Sequence, residues 1–243
     1  MIRWEHIYTN PHITPMLYLD LGLTDYQIAW ELQKRIVQSK TRGLTQDFLI
    51  LVEHPPTITL GLRAKRADVI LPVSQITERG ITVVEVDRGG GVTYHGPGQL
   101  VCYPLMDLRA LQLSVRDYVR KLESVIEGSL VSLGVQPMKF HGKPGIWADS
   151  ERKIASIGIR ILSRITYHGF SINVDLKHIP EELIVPCGIP HTVMTDLRRL
   201  KGKHVDIDSM RSILLEHFGR VFGVHLEPIT LEQFKDLAAN HGQ

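Results

Sequence analysis

Lys153-Ile-Ala-Ser-Ile-Gly-Ile-Arg-Ile161, followed three residues later by Ile165-Thr-Tyr-His-Gly-Phe-Ser-Ile-Asn-Val174, is the stretch on which the fold turns. Both runs are strand-like in composition, and the short link between them reads as a hairpin, which makes them antiparallel neighbours. Working outward, FLILVE (48–53) and TITL (57–60) flank a His54-Pro-Pro56 turn. ITVVEV (81–86) and LVCYPL (100–105) supply two more strands. Helices are expected after the Thr24-Asp-Tyr-Gln27 capping box, from Ser114 toward Gly134, over about Asp208 to Phe222, and from the box Thr230-Leu-Glu-Gln233 onward. These helices do not alternate regularly with the strands, so a doubly wound dinucleotide fold is not expected. The fold class is α+β: a mixed or antiparallel central sheet flanked by helices. Residues 1–243 form a single domain, with 205–243 a helical appendage.

Composition narrows the function. The chain has 243 residues, 43% hydrophobic and 22% charged, the make-up of an ordinary globular protein able to bury a core without disulfides or metal. Lys and Arg number 28 against 26 Asp and Glu, a net charge of +2, which argues against nucleic acid or an anionic membrane as partner. Cys102 and Cys187 are far apart, there is no CxxC, and twelve scattered histidines lack metal-ligand spacing. No metal and no cofactor are expected. Unpaired thiols and a start without a signal-peptide core point to the cytoplasm. The longest charge-free run, Gly89 to Met106, is broken by glycines and prolines and does not read as a membrane span.

Arg88-Gly-Gly-Gly-Val-Thr-Tyr-His95-Gly-Pro-Gly-Gln99 is the segment least explained by packing. Successive glycines after an apolar strand let the backbone approach a ligand, and their N–H groups form a concavity for oxygens. A tight turn would use the glycines for geometry alone; Arg88, Tyr94 and His95 in the same short loop tip the balance toward a site. Cys187, in Val185-Pro-Cys-Gly-Ile-Pro190, lies in a turn, whereas Cys102 alternates within a strand as a small hydrophobe. A reactive Cys187 needs a base or cation beside it, and His168, His191 and Lys153 all remain candidates by pattern. Arg198, Arg199, Lys201, Lys203 and His204 make a local basic patch, either a solvated loop or a landing place for an acidic partner.

Taken together, RGGGVTYHGPGQLVCYPL (88–105), GKPGIWADSERKIASIGIRI (142–161), HGFSINV (168–174) and PCGI (186–189) resemble, in this order, the lipoyl(octanoyl) transferase family of lipoate biosynthesis. The likeness runs from about Asp47 to Leu197. It implies a fold similar to the biotin and lipoate protein ligase catalytic domain. The implied reaction moves an octanoyl group from octanoyl-acyl carrier protein to a lysine of a lipoyl domain. Such acceptors belong to the 2-oxoacid dehydrogenase complexes and the glycine cleavage H protein. It implies Cys187 as the nucleophile and Lys153 as its partner. Substrate binding carries over onto Arg88, Gly89, Gly90, Gly91, Val92, Thr93, Tyr94 and His95, onto Ser156, Ile157 and Gly158, and onto Gly169, Phe170 and Ser171. The chain departs from the family's common pattern at Ser171-Ile172, where Ala-Leu is usual, and at Val185, often Asn.

Small residues at Ala155, Gly158 and Gly169 are expected to leave room for the acyl tail, so that Gly158→Leu shortens the preferred chain. The rival readings are an ATP-dependent lipoate–protein ligase, a non-catalytic acyl-carrier-binding module, and a Cys–His hydrolase using His191.

Overall fold

The computed structural model describes residues 15–177, 183–185 and 192–239. Its main sheet has nine strands and is mixed. In spatial order it runs β12 (Leu226–Pro228), β1 (Met16–Leu23), β2 (Phe48–Glu53), β6 (Gln99–Leu105), β10 (Ile165–Asn173), β9 (Arg152–Leu162), β8 (Lys143–Trp147) and β7 (Met138–Phe140), with β11 (Val193–Met194) also paired to β9. The β12, β1 and β2 strands are parallel, whereas β2 through β7 pair antiparallel in that spatial order. A second sheet of three strands holds β3 (Thr57–Leu60) between β4 (Thr82–Glu85) and β5 (Val92–His95). The expected hairpin is present, and its turn residues Ser163 and Arg164 both have positive φ, 49° and 73°, the twist a two-residue hairpin favours.

Period-two alternation explains why the central strands are apolar throughout. In β2, Leu49 and Leu51 face one core while Phe48, Ile50 and Val52 face another; in β6, Leu100 and Cys102 oppose Val101, Tyr103 and Leu105. The first core is closed by α3 (Val115–Ser132) and α5 (Ile207–Phe222), the second by α1 (Tyr26–Thr41) and α6 (Leu231–Ala239). A sheet covered on both faces needs hydrophobic side chains on both. A short α2 (Val73–Glu78) packs beside β4, and α4 (Leu197–Lys201) follows β11.

The caps largely match their sequence signals. Ser114 accepts from Asp117 N–H at the start of α3, and Thr230 and Gln233 bond reciprocally at α6. At α1 the cap is Asp25, which accepts from the N–H groups of Gln27 and Ile28, and not Thr24, whose hydroxyl donates to the Leu21 carbonyl. The region after residue 205 contributes strand β12 as well as helices, and its Met210, Leu214, Phe218 and Phe234 are fully buried.

Gly169 lies directly opposite Gly158 in the β9–β10 register. A Cβ at residue 169 would overlap the Cys102 carbonyl oxygen of β6 and press on Pro104. Gly169→Ala is therefore expected to cost about 3 kcal/mol or more through overpacking against backbone, read as a fall in the urea midpoint; an unchanged midpoint would show that β6 and β10 separate freely here.

Candidate active site

The glycine loop and the two long strands enclose a cavity of about 310 Å³. Arg88, Gly90, Gly91, Thr93 and His95 line it from one side, Ser156, Ile157 and Gly158 from β9, and Gly169, Phe170 and Ser171 from β10. Gly89, Val92 and Tyr94 are not on its wall. The Gly89 N–H is committed to the Ile159 carbonyl at 2.8 Å, tying the loop to β9. Val92 and Tyr94 alternate away into the small core with Ile58 and Val69, and burial pushes the Tyr94 phenol up to about 12. The Arg88 guanidinium donates to the Thr59 carbonyl at 2.9 Å and to its hydroxyl at 2.7 Å, which fixes its position in the wall. The loop also receives N–H donors from the Gly61 turn: Gly61 to Gly91 O, Leu62 to Arg88 O and Arg63 to Gly90 O.

Of the small residues expected to give tail room, Gly158 and Gly169 line the cavity and Ala155 does not. Ala155 belongs to the sheet core and is not part of the cavity wall. A Cβ on Gly158 would sit 3.0 Å from the Gly89 carbonyl oxygen and 3.1 Å from Arg88 Cδ. Gly158 and Gly169 are thus glycines because backbone passes against them.

The buried end of the cavity carries polar aromatics that the sequence reading did not single out, Tyr26 and Tyr103, together with His95 and His168. Two chains of hydrogen bonds tie them. Asp87 accepts from His168 Nε2 at 2.9 Å and from the Tyr167 hydroxyl, so the neutral His168 ring presents Nδ1 as acceptor to the Tyr26 hydroxyl, 3.4 Å away. His54 Nδ1 donates to the Thr24 carbonyl at 2.7 Å, leaving Nε2 to accept from the Tyr103 hydroxyl at 2.9 Å. His95 Nδ1 donates to Gln99 Oε1 at 2.7 Å. Burial lowers all three histidines, His54 to about 4. Burial also pushes Tyr26 up to about 12. Burial raises Asp87, yet the bonds from His168 and Tyr167 overcome that and bring it to about 2. His168 has φ of 53°, a strained conformation for a residue with a side chain. Its N–H is held by the Gln33 side-chain oxygen at 2.8 Å.

Lys153 is not a solvated strand-edge lysine: it is 2% exposed. Its Nζ lies 5.7 Å from the centre of the Trp147 ring. A Cβ at Gly145 would come within 2.5 Å of its Cε and 3.0 Å of its Nζ, so glycine there makes the space the lysine occupies. Lys153 precedes Ser156 by three residues on β9, about 10 Å along the strand. Cys187 and His191 lie outside the described residues. Cys102 is buried within the sheet, and burial drives its thiol well above the ordinary range. The basic patch is partly neutralised by its neighbours: Arg198 and His204 share Asp175, Arg199 pairs with Asp196, and Lys201 donates to the Leu133 carbonyl. Among the described residues no helix is long and apolar enough to cross a membrane.

The helix-flanked mixed sheet is the fold of the lipoate and biotin ligase catalytic domains. A lipoate-protein ligase A bound with ATP superposes with a TM-score of 0.74, covering 93% of this chain and 94% of that one at 17% identity. Biotin protein ligase from Aquifex aeolicus gives 0.51, covering 86% and 70% at 12% identity. The model of the lipoyl protein ligase A/B catalytic domain matches residues 25–219. The chain belongs to this family. Within it, an octanoyltransferase of Koribacter versatilis is 40% identical over 90% of this chain and 88% of its own length.

The buried histidines set an acid limit on stability. An unfolded histidine titrates near ~6.5, whereas folded His54 stays neutral down to about 4. Its folded pKa is depressed, so the unfolded chain binds the proton first and stability falls as pH drops from 6.5 toward 4. The loss reaches about 3 kcal/mol for this group. The melting temperature should decline between pH 7 and 5, less steeply in His54→Gln. Equal slopes for the two proteins would remove His54 from the account.

Proposed function

We propose that this chain transfers an octanoyl group from octanoyl-acyl carrier protein to a lysine of lipoyl domains, with Cys187 as nucleophile and Lys153 as its partner. The observation that carries the reading is Lys153 itself, a buried lysine accommodated by Gly145 on the strand that walls the cavity. The described ends of the segment containing Cys187 support the pairing. On one side Val185 N–H donates to the carbonyl of Asp68, a cavity residue, at 2.8 Å. On the other, Met194 pairs with Lys153, and Thr195 N–H donates to the Lys153 carbonyl at 2.9 Å.

The chemistry fits a thiol and an amine. The donor bond is a thioester, so exchange onto Cys187 is nearly balanced and needs no ATP; amide formation on the acceptor lysine then runs downhill. A free thiol near pKa ~8.5 is mostly protonated at neutral pH. As an ammonium, Lys153 stabilises the thiolate; as an amine it takes up the proton and passes it to the departing carrier thiol. The N–H groups of Gly90 and Gly91, which make no backbone hydrogen bond among the described residues, are suited to an acyl oxyanion. Burying the six methylenes of an octanoyl tail in the cavity contributes roughly 5 kcal/mol. The acceptors are lipoyl domains of the 2-oxoacid dehydrogenase complexes and the glycine cleavage H protein, and the setting is the cytoplasm.

The test is intact mass spectrometry with octanoyl-acyl carrier protein and no ATP. One octanoyl adduct mapping to Cys187, discharged when apo lipoyl domain is added, is the expected result. Cys187→Ala should form none, and Lys153→Met should slow its formation at least ~100-fold. Lipoyl-domain modification only with ATP and free octanoate would assign the chain to the ligases.

Chain length should be set at the buried end of the cavity. Tyr26→Ala, which removes the ring facing His95 and His168, is expected to shift preference from eight carbons toward ten or twelve. Gly158→Leu should instead displace Arg88 and depress transfer with every chain. Competition between acyl donors of graded length reads both; an unshifted profile in Tyr26→Ala would place the ruler elsewhere.

A further inference from the structure

The mouth of the cavity has a chemistry that an acyl tail does not use. Arg63 and Lys65 line it, both exposed, and neither has an acidic side-chain partner among the described residues. Beside them the cavity wall carries one carboxylate, Asp68. That carboxylate is buried, and its Oδ2 is occupied by the Lys65 N–H at 2.9 Å. The two cations are not on a loose loop. Gly61, Leu62 and Arg63 each donate an N–H to the glycine loop, and Ala64 N–H closes a turn on the Gly61 carbonyl at 2.8 Å. Beside them Leu62 and Ile70 are exposed to 60% and 51%. The other basic cluster, at residues 198–204, is off the cavity wall, and three of its five side chains pair with Asp175 or Asp196; on the wall itself, Arg63 and Lys65 are the exposed cations with no acidic side-chain partner among the described residues.

We infer that Arg63 and Lys65 form an anion subsite for the phosphate of the donor's prosthetic arm, with Leu62 and Ile70 meeting the carrier's surface. This inference rests on the octanoyl-transfer reading and names how that donor is held. An acyl carrier presents its acyl group on a phosphorylated arm, so the thioester enters the cavity while the phosphodiester remains near the rim. Two cations anchored on backbone favour one charged group there without burying it. A nucleotide triphosphate would offer the same phosphate chemistry, and the experiment separates the two sources.

The measurement compares octanoyl-phosphopantetheine with octanoyl-pantetheine, minimal donors that differ only in the phosphate, by the rate of acyl-enzyme formation. The wild-type protein should prefer the phosphorylated arm by about tenfold in kcat/KM, and the preference should shrink with added salt. In Arg63→Ala/Lys65→Ala the ratio should approach one, mainly through KM. Lys203→Ala, at an exposed cation away from the cavity wall, should keep the wild-type ratio. A double variant that still discriminates between the arms as strongly as the wild type would overturn the subsite. If both arms fail to acylate the wild-type protein, while ATP and free octanoate modify a lipoyl domain with an Arg63- and Lys65-dependent KM for ATP, the cations belong to a nucleotide; both the subsite and the transfer reading then fall. If both arms acylate it equally, transfer stands and the subsite alone is lost.

Discussion

The contact between the glycine loop and the β9–β10 ladder is the constraint on which the site rests. Gly158 and Gly169 face each other across the two strands. On one, a side chain would meet the Gly89 carbonyl and Arg88; on the other, the Cys102 carbonyl. Three layers of backbone therefore lie closer than any Cβ would permit. The Gly89 N–H to Ile159 bond fastens this approach. From there the rest follows: Arg88 is turned into the wall where Thr59 can hold it, Thr93 and His95 face the cavity, and Val92 and Tyr94 close the small core behind.

The interior behind that contact is rich in polar side chains, Tyr26, His95, Tyr103 and His168 among them. Several of these rings are already engaged with one another or with neighbouring groups. Asp87, His168 and Tyr26 form one chain, and Thr24, His54 and Tyr103 another. Rings bonded in this way keep these donors and acceptors for one another. They also make a stiff wall, because moving one ring breaks several bonds. Strain at His168 is held by the bonds on its backbone and both ring nitrogens. Rigidity at the buried end and uncommitted charge at the mouth give the two ends of one cavity opposite characters.

Much of this was legible in the sequence where a residue's type is forced by its backbone or its burial on one element. The β9–β10 hairpin, the apolar β2 and β6, and the caps at Ser114 and Thr230 all carry local signatures, and the architecture agreed with the α+β expectation. What escaped depends on partners distant in the chain. Strands β7, β11 and β12 have two or three residues, too few for periodicity to register. In β8, Lys143-Pro-Gly-Ile-Trp147 reads as a turn because it holds Pro and Gly, yet one glycine is there for Lys153. Tyr26 looks like any buried first-turn residue of a helix until its ring is seen beside His95 and His168. Asp87 is adjacent to Arg88, but its carboxylate bonds to His168 and Tyr167 of β10, distant in the chain. Of the residues read as tail room, Gly158 and Gly169 line the cavity but also sit against backbone, and Ala155 lies in the sheet core: a small residue in a strand marks close approach, and only the tertiary partner says whether a ligand or backbone approaches.

The kinship with ligases bears on why Lys153 and the rim cations belong to one design. The fold of this chain encloses a cavity lined by the glycine loop and the β9 and β10 strands. A ligase activates a free acid with a nucleotide, whereas a transferase receives an acyl group already activated as a thioester. The second route needs only a nucleophile, a proton carrier and a hold on the donor's arm. In the proposed transfer Lys153, buried against Gly145, handles the proton, and Arg63 and Lys65, which have no acidic side-chain partner among the described residues, stand on the cavity wall where an anionic arm would pass. Replacing activation by capture shifts the demand for positive charge from the reacting carbonyl to the rim, which is where this structure keeps it.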